Sequence, residues 1–410
     1  MTTIKLDPGA ALLLDALHGA GHAAYAVGGC VRDSLLGQAP HDWDLCTSAR
    51  PEQVMELFGE EKCIPTGLQH GTVTVKQGGR LYETTTFRIE GAYSDGRHPD
   101  AVHFVPDVRE DLARRDFTIN AMAYSAEEGL IDPFGGRGDL AAHLVRAVGE
   151  PERRFEEDAL RILRLYRFAA RFGFSVDPAT GAAARALGPH LDCVSAERIQ
   201  EEMLKLLAAP APGRYLEPAV LAVILPELYP LEEPARFAES CRVIDRLAPG
   251  AENVPARLAA LLLPLGEEGT RKALRRLKCS NALTEETAVL VRETGTSGPA
   301  TDPAVSVRRL LGRYGLTAVE RLAALGAAGH PEQAADFAAQ AELARQMEAD
   351  GVCCRIAQLA VNGRDLMAAG AKPGPGLRQL LEQLLEAVIT GQVPNEKQAL
   401  LAAAAQFSAS

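Results

Sequence analysis

The chain has 410 residues, 47% of them apolar and 24% charged, with eight cysteines and a formal net charge of −11. That length fills the cores of two to four globular domains. The acidity excludes a protein that coats nucleic acid indiscriminately, but it leaves room for a local basic track. No run approaches the roughly 20 apolar residues of a membrane span, since AVLAVIL soon meets Pro226 and ALLLPL is shorter still. Asp15 interrupts the first apolar run and no basic leader precedes it, so no signal peptide is read. The cysteines are scattered without any CxxC, and Cys353 and Cys354 form the single adjacent pair. Reduced thiols in a cytoplasmic protein without a zinc site are therefore expected.

Residues 25–48 read YAVGGCVRDSLLGQAPHDWDLCTS. AVGG predicts a buried strand ending in a turn, and CVRDSLLG a short helix stopped at Gly37. Gly28 and Gly29 free the amides of that helix start to approach an anion such as a triphosphate, and Arg32 adds charge at the same spot. HDWDLC then reads as a strand, with Asp42 and Asp44 on one face and Trp43 and Leu45 on the other. Paired carboxylates repel each other, and a divalent cation is the commonest reason to tolerate that. A Gly-Gly turn or an Asp-x-Asp is commonplace alone; their adjacency points to a phosphate site beside a metal site.

The runs GTVTV, RLYETTTFRI and AVHFVP are the next strand candidates. Glu83, in the threonine-rich run, supplies the third carboxylate that a two-metal site for nucleotidyl transfer shares. Residues 90–105 carry Gly91, Gly96 and Pro99 among polar side chains and predict a mobile loop or a loosely held hairpin. In RRDFTINAMAY, residues 114–124, Arg115 can reach a triphosphate, Asp116 can buttress a basic partner, and Asn120 can fix a loop or contact a ribose. Read as the opening of a helix, the same Arg-Arg-Asp cluster also suits an exposed ion-pair face.

From PERRFEEDALRILRLYRFAARFGF onward, strand signals nearly vanish and amphipathic helices broken by Pro and Gly carry the chain. Arg161, Arg164, Arg167 and Arg171 recur at spacings of three, three and four and form one helical stripe. Leu160, Leu163, Tyr166 and Ala170 form an apolar stripe about 100° away. One face packs while its neighbour presents guanidinium groups; pairing with acids such as Glu156 and Glu157 is the plainer alternative. The expected fold class is α+β, a small mixed sheet with helices followed by an all-α array.

Five motifs now stand in order: GGCVRD, HDWD, YETTTFR, RRDFTINAM and EDALRILR. In order and approximate spacing they resemble the class II tRNA nucleotidyltransferases, the CCA-adding enzymes of the DNA polymerase beta superfamily. SAERIQEEMLKLL resembles the family's neck, and NGRDLMAAGAKPGPGLRQLLEQLLEAVITGQVPNEKQALL the tail of the short bacterial type. The resemblance implies a polymerase-beta-like nucleotidyltransferase head over 1–145 and a helical, base-recognising neck over 146–208. A helical body over 209–300 and a tRNA-binding helical tail over 301–410 complete the division.

It also implies that Asp42 and Asp44 hold Mg2+ in a two-metal site, with Glu83 as the third catalytic carboxylate. Gly28, Gly29, Arg32, Arg115, Asn120, Asp158, Arg161, Arg164 and Arg167 would surround the incoming CTP or ATP. The tRNA 3' end and acceptor stem would be the partner, with no membrane and no obligatory protein partner. Where relatives commonly carry Arg-Arg-Pro after the TTFR strand, this chain has Arg97-His98-Pro99. The segment around it is expected to assist the final A addition.

The implied activity is template-independent addition of C, C and A to tRNA with release of pyrophosphate. Asp158 and Arg161, three apart on one helix, have the chemistry to choose the base. A carboxylate accepts from the amino group that cytosine and adenine share, an arginine donates to the adjacent ring nitrogen, and both contacts turn repulsive for uracil and guanine. A specialist adding only CC or only A, a bacterial poly(A) polymerase and a non-catalytic tRNA-binding protein remain alternatives. A His-Asp phosphohydrolase, prompted by His41-Asp42, lacks a supporting histidine cluster.

Overall fold

The computed structural model describes residues 3–91, 102–228, 234–296 and 302–407. Residues 93–99 of the anticipated loop, with Arg97-His98-Pro99, lie outside the described residues. The chain divides into two compact units, Met1–Pro230 and Leu231–Ser410.

The first unit is built on a seven-stranded mixed sheet. In chain order its strands are β1 (Ala24–Val27), β2 (Leu45–Thr47), β3 (Cys63–Gly67), β4 (Thr72–Gln77) and β5 (Arg80–Thr86). After the ribbon of β6 (Arg88–Glu90) and β7 (Val102–Phe104) come β8 (Ala123–Ser125) and β9 (Gly129–Ile131). The sheet order is β3-β4-β5-β2-β1-β8-β9. Every residue of β1 is buried, as befits an apolar central strand. β4 and β5 form a hairpin from Thr72↔Thr85 to Gln77↔Arg80, closed by Gly78 and Gly79 at φ 58° and 79°. β2 lies parallel to β5, with Leu45 opposite Thr84.

Helices α1 (Pro8–Gly19), α2 (Gly29–Leu35), α3 (Pro51–Phe58), α4 (Val108–Ala113) and α5 (Gly136–Ala141) accompany the sheet. The Asp7 carboxylate accepts from the amides of Gly9 and Ala10 to open α1, which buries Leu13, Leu14 and Leu17. Tyr25, Val27, Cys46, Phe87 and Leu112 share one core cluster beneath α4.

Then come α6 (Pro151–Glu157), α7 (Leu160–Phe172), α8 (Pro178–Ala186) and α9 (Ala196–Leu207). Two short parallel strands, β10 (Leu144–Val145) and β11 (Ser175–Val176), tie the end of the head to the chain beyond α7. α7 buries Ile162, Leu165, Phe168 and Ala169, packs against α9 and stops at Gly173 in the left-handed region.

The second unit is helical, from Pro234–Arg246 to Lys397–Phe407. One cluster gathers Val307, Leu311, Val319, Ala344 and Met347, and another Leu366, Leu380, Leu384, Val388 and Leu400. At Gly312 the backbone carbonyl of Cys354 approaches so closely that a Cβ would stand 2.1 Å from its oxygen, so no other residue fits without moving the chain. All eight cysteines are free thiols. Among the described residues, no helix is long and apolar enough to cross a membrane.

Candidate active site

β1 ends at Gly28, whose φ of 77° and ψ of −122° suit glycine. A Cβ there would lie 2.8 Å from Nη1 of Arg115, so the missing side chain also lets that guanidinium lie across the turn. α2 starts at once and carries Arg32 inward, where it is buried. Arg32 donates through Nε to Asp33 Oδ1 at 2.8 Å and through Nη1 to Asn120 Oδ1. Burial pulls the pKa of Arg32 down, and Asp33 opposes that pull.

From Asn120 the network continues, because its Nδ2 donates to Asp116 Oδ1 at 3.0 Å. Asp116 Oδ2 accepts from Nε and Nη2 of Arg164 at 2.9 and 2.6 Å. Burial alone would raise the pKa of Asp116; Arg164 and Asn120 outweigh it and hold the carboxyl at about 2. The Arg114-Arg115-Asp116 cluster follows α4 rather than opening a helix. Asp111, fully buried one turn earlier, accepts from Arg114 Nε at 2.9 Å and Arg115 Nη2 at 3.4 Å, which fixes both arginines.

The acidic edge lies just before β2. The expected strand over HDWDLC is shorter than its sequence suggests, because ladder pairing begins only at Leu45. The alternation persists without the ladder: Asp42 and Asp44 are exposed, Trp43 and Leu45 buried. The Asp44 carbonyl still accepts from the Val27 amide at 3.0 Å, which holds the segment against β1. Because Leu45 pairs with Thr84, one step back along both parallel strands puts Asp44 beside Glu83. The Asp44 side chain reaches solvent, yet the protein packed around its carboxylate, then Glu83 and then Asp42 raise its pKa, against the pull of Arg115.

Among the described residues, none donates a hydrogen bond or forms an ion pair to the carboxylates of Asp42, Asp44 or Glu83. Nor is any group of three or more His, Cys, Asp or Glu there drawn together closely enough to hold a metal ion unaided. Mg2+ usually takes one or two carboxylates and completes its shell with water and substrate phosphates. The unpartnered aspartate pair fits that requirement.

A pocket of about 480 Å³ opens between the Gly28 turn and α7. Gly28, Gly29, Arg32, Arg115, Asn120, Asp158, Arg161, Arg164 and Arg167 all line it, together with Asp44. Asp42 and Glu83 are not among its lining residues. Arg114, Arg171 and Arg198 bring further positive charge to the wall.

Asp158 and Arg161 do not ride on one helix. Asp158 sits in the break between α6 and α7 with extended backbone, and its Oδ1 caps α7 by accepting from the Leu160 amide at 3.1 Å. Its Oδ2 accepts from Arg198 Nη2 at 2.8 Å. Arg161 donates to Glu157 Oε2 at 2.8 Å and to the backbone carbonyls of Arg154 and Arg114, both at 3.2 Å. The rest of the stripe is held too: Arg167 donates to Glu202, and Arg171 pairs with Asp33 at 3.5 Å. Arg198 and Glu202 went unread in the sequence, although they stand four apart on α9 and so share a face.

Comparison with known proteins gives this geometry its context. Residues 24–146 match the Poly A polymerase head domain, 173–231 an RNA- and SrmB-binding site of polymerase A, and 252–404 tRNA nucleotidyltransferase domain 2. The CCA-adding enzyme of Limosilactobacillus fermentum is 38% identical over 400 residues, covering 96% of both chains. That of Geobacillus stearothermophilus is 38% identical over 390 residues, covering 93% of this chain and 92% of its own. The structure of Bacillus stearothermophilus CCA-adding enzyme in complex with CTP superposes with a TM-score of 0.79 at 33% identity and covers 98% of both chains. Thermotoga maritima CCA-adding enzyme complexed with tRNA, at 20% identity and a TM-score of 0.69 over 98% of this chain and 96% of its own, shares the fold. With its polymerase-like head, its arginine-walled pocket and near full-length relatives above 30% identity, this chain belongs to the CCA-adding enzymes, the tRNA nucleotidyltransferases that complete the 3' end.

Proposed function

We propose that this protein adds C, C and A in turn to the tRNA 3' end, taking CTP and ATP and releasing pyrophosphate. The observation that carries the reading is the convergence of the Gly28 turn, Arg32, Arg115, the α7 arginines and Asp158 on one pocket with Asp44 at its edge. Members of this family generally use a divalent metal. Here Asp42 and Asp44 would hold Mg2+, with Glu83 as the third carboxylate. Bound there, the ions supply Lewis-acid activation of the primer hydroxyl and neutralise charge on the triphosphate.

The chain's own groups do the rest. Arg32, Arg115 and the amides after Gly28 meet the triphosphate, and their charge offsets what builds on the departing pyrophosphate. The primer 3'-oxygen displaces pyrophosphate at the α-phosphorus directly, without a covalent protein intermediate. Asp158 keeps free lone pairs on both oxygens and accepts from the amino group of cytosine or adenine. Arg161 donates to the neighbouring ring nitrogen by exchanging one of its present carbonyl or Glu157 contacts. Uracil and guanine present the opposite polarity at both positions. A bidentate contact of this kind discriminates by about 1–3 kcal/mol, and burial in the pocket increases that. The body and tail, 209–300 and 301–410, would hold the acceptor stem through phosphates and 2'-hydroxyls.

The test offers tRNA ending at the discriminator base, at C or at CC, with each nucleotide singly. Stepwise extension with CTP, CTP and then ATP is the expected product ladder. Arrest at CC, or activity on CC-ended tRNA alone, would identify a specialist, and long A tails would identify a poly(A) polymerase.

A further inference from the structure

The arginines of the pocket are gathered around two phenylalanine rings of α7. Phe168, 5% exposed, lines the pocket. The Arg167 guanidinium carbon lies 4.1 Å from its ring centroid, that of Arg32 5.4 Å and that of Arg164 5.5 Å. Phe172 stacks parallel to it at 6.2 Å and carries Arg32 at 4.8 Å and Arg171 at 5.0 Å. Phe117 sets its edge against Phe168 at 5.8 Å, anchoring the ring to the head.

Carboxylates hold these arginines by their N–H groups, and the phenylalanine rings lie close to their guanidinium carbons. The distinction matters once a polyphosphate arrives. Phosphate oxygens compete for the same N–H donors that Asp116, Asp33 and Glu202 now accept from, so the carboxylate contacts give way. The cation–π contact uses the opposite part of the group and persists through the exchange. Once those carboxylate contacts give way, it restrains how far each guanidinium can swing from its place.

We propose that Phe168 is a positioning residue whose ring holds Arg32, Arg164 and Arg167 in the places from which they meet the nucleotide's polyphosphate arm, whichever base that nucleotide carries. The inference rests on the triphosphate reading of the pocket. It predicts an effect on phosphate binding common to CTP and ATP, whereas a phenylalanine that only fills the core would leave binding untouched in any variant that folds.

The test compares Phe168→Leu, which keeps an apolar side chain of similar volume without a π face, with Phe168→Tyr, which keeps the ring. Both are measured in the full chain for CTP and ATP kinetics and for competitive inhibition by inorganic tripolyphosphate. Without the ring, binding must re-order three arginines that the contact now restrains, a cost that corresponds to about tenfold in affinity or more. Phe168→Leu is therefore expected to raise KM for CTP and ATP, and Ki for tripolyphosphate, alike by about tenfold, with kcat changed less than about threefold. Phe168→Tyr should stay within about threefold of wild type.

KM and Ki unchanged in the leucine variant, a collapse of kcat at constant KM, or failure of the tyrosine to retain binding would each overturn the proposal. Should Phe168→Leu lose its cooperative melt, Phe168→Met carries the same expected and overturning results. If tripolyphosphate and the nucleotides fail to bind wild type, the triphosphate reading falls and takes this proposal with it. If wild type binds and the leucine variant binds equally, only the role of Phe168 falls.

Discussion

At Asp44, partial loss of solvent around an otherwise exposed side chain and the Glu83 and Asp42 carboxylates together disfavour the anion, and Arg115 offsets them in part. A folded pKa above the unfolded one means that ionisation opposes folding: the contribution is fully favourable below the unfolded value and is lost as pH rises through the folded one. Asp44→Asn is therefore expected to raise the Tm of the metal-free protein at pH 7, with the gain shrinking as pH falls toward the ordinary carboxylate range. The same variant, and Asp42→Ala, should lose incorporation of both C and A by more than about a hundredfold. A lowered Tm at pH 7, or activity within tenfold of wild type, would count against this use of the two carboxylates. Asp116 has the opposite sign. Its pKa falls from 3.8 to about 2, so its stabilisation is present above the unfolded value and is lost as pH drops through the folded one. At about 1.4 kcal/mol per unit, Asp116→Asn should cost about 2 kcal/mol at pH 7, and urea titrations should show that deficit closing between about pH 4 and pH 2.

Among the elements, the break between α6 and α7 sets the placement of Asp158 and Arg161, the two residues proposed to read the base. Asp158 caps α7 from outside, and Arg161 follows from the first turn. Altering either donor–acceptor polarity, as in Asp158→Asn or Arg161→Gln, is expected to admit UTP or GTP while weakening CTP and ATP. Single-nucleotide incorporation measures this, and lost activity at unchanged selectivity would remove the base-reading role. The break was not legible in EDALRILR, whose composition is helical throughout, because the side chain that favours capping there draws on a tertiary partner. Arg198 fixes Asp158 from 40 residues away, and no local pattern announces that pairing. The acidic edge was easier to read. Strand alternation at Asp42 and Asp44 is a local property and survived even where the ladder did not form. The β-branched run around Glu83 does pair with β2, in parallel, as its composition allowed. The helical stripe of arginines was visible, whereas the carboxylates that pair with it come from α2, α6, α9 and the loop after α4, and only folding assembles them.

On the scale of the whole molecule, every residue lining the arginine pocket belongs to the unit Met1–Pro230. The other unit has apolar clusters of its own, centred on Leu311 and Leu384. A fragment of residues 1–230 is therefore expected to melt cooperatively and to gain stability from CTP or ATP as the full chain does, by about 2.7 kcal/mol at a hundredfold excess over Kd. Its affinity for tRNA, read by gel shift, should fall well below that of the full chain. A fragment that folds but gains nothing from nucleotide would show that the pocket depends on the second unit.

The pairing of nearly every pocket arginine with a carboxylate of the same chain has a consequence for turnover. The site arrives preloaded with its own counter-ions: Asp33 for Arg171, Asp116 for Arg164, Glu202 for Arg167, Asp158 for Arg198 and Glu157 for Arg161. On the proposed reading, binding a nucleotide would be an ion exchange within the protein, in which phosphate oxygens displace the tethered carboxylates of Asp33, Asp116 and Glu202, which cannot diffuse away. After transfer, those carboxylates would reclaim their guanidiniums as pyrophosphate loosens. An enzyme that must discharge the same anionic product three times on one tRNA therefore carries, in its resting contacts, the agent that clears its site.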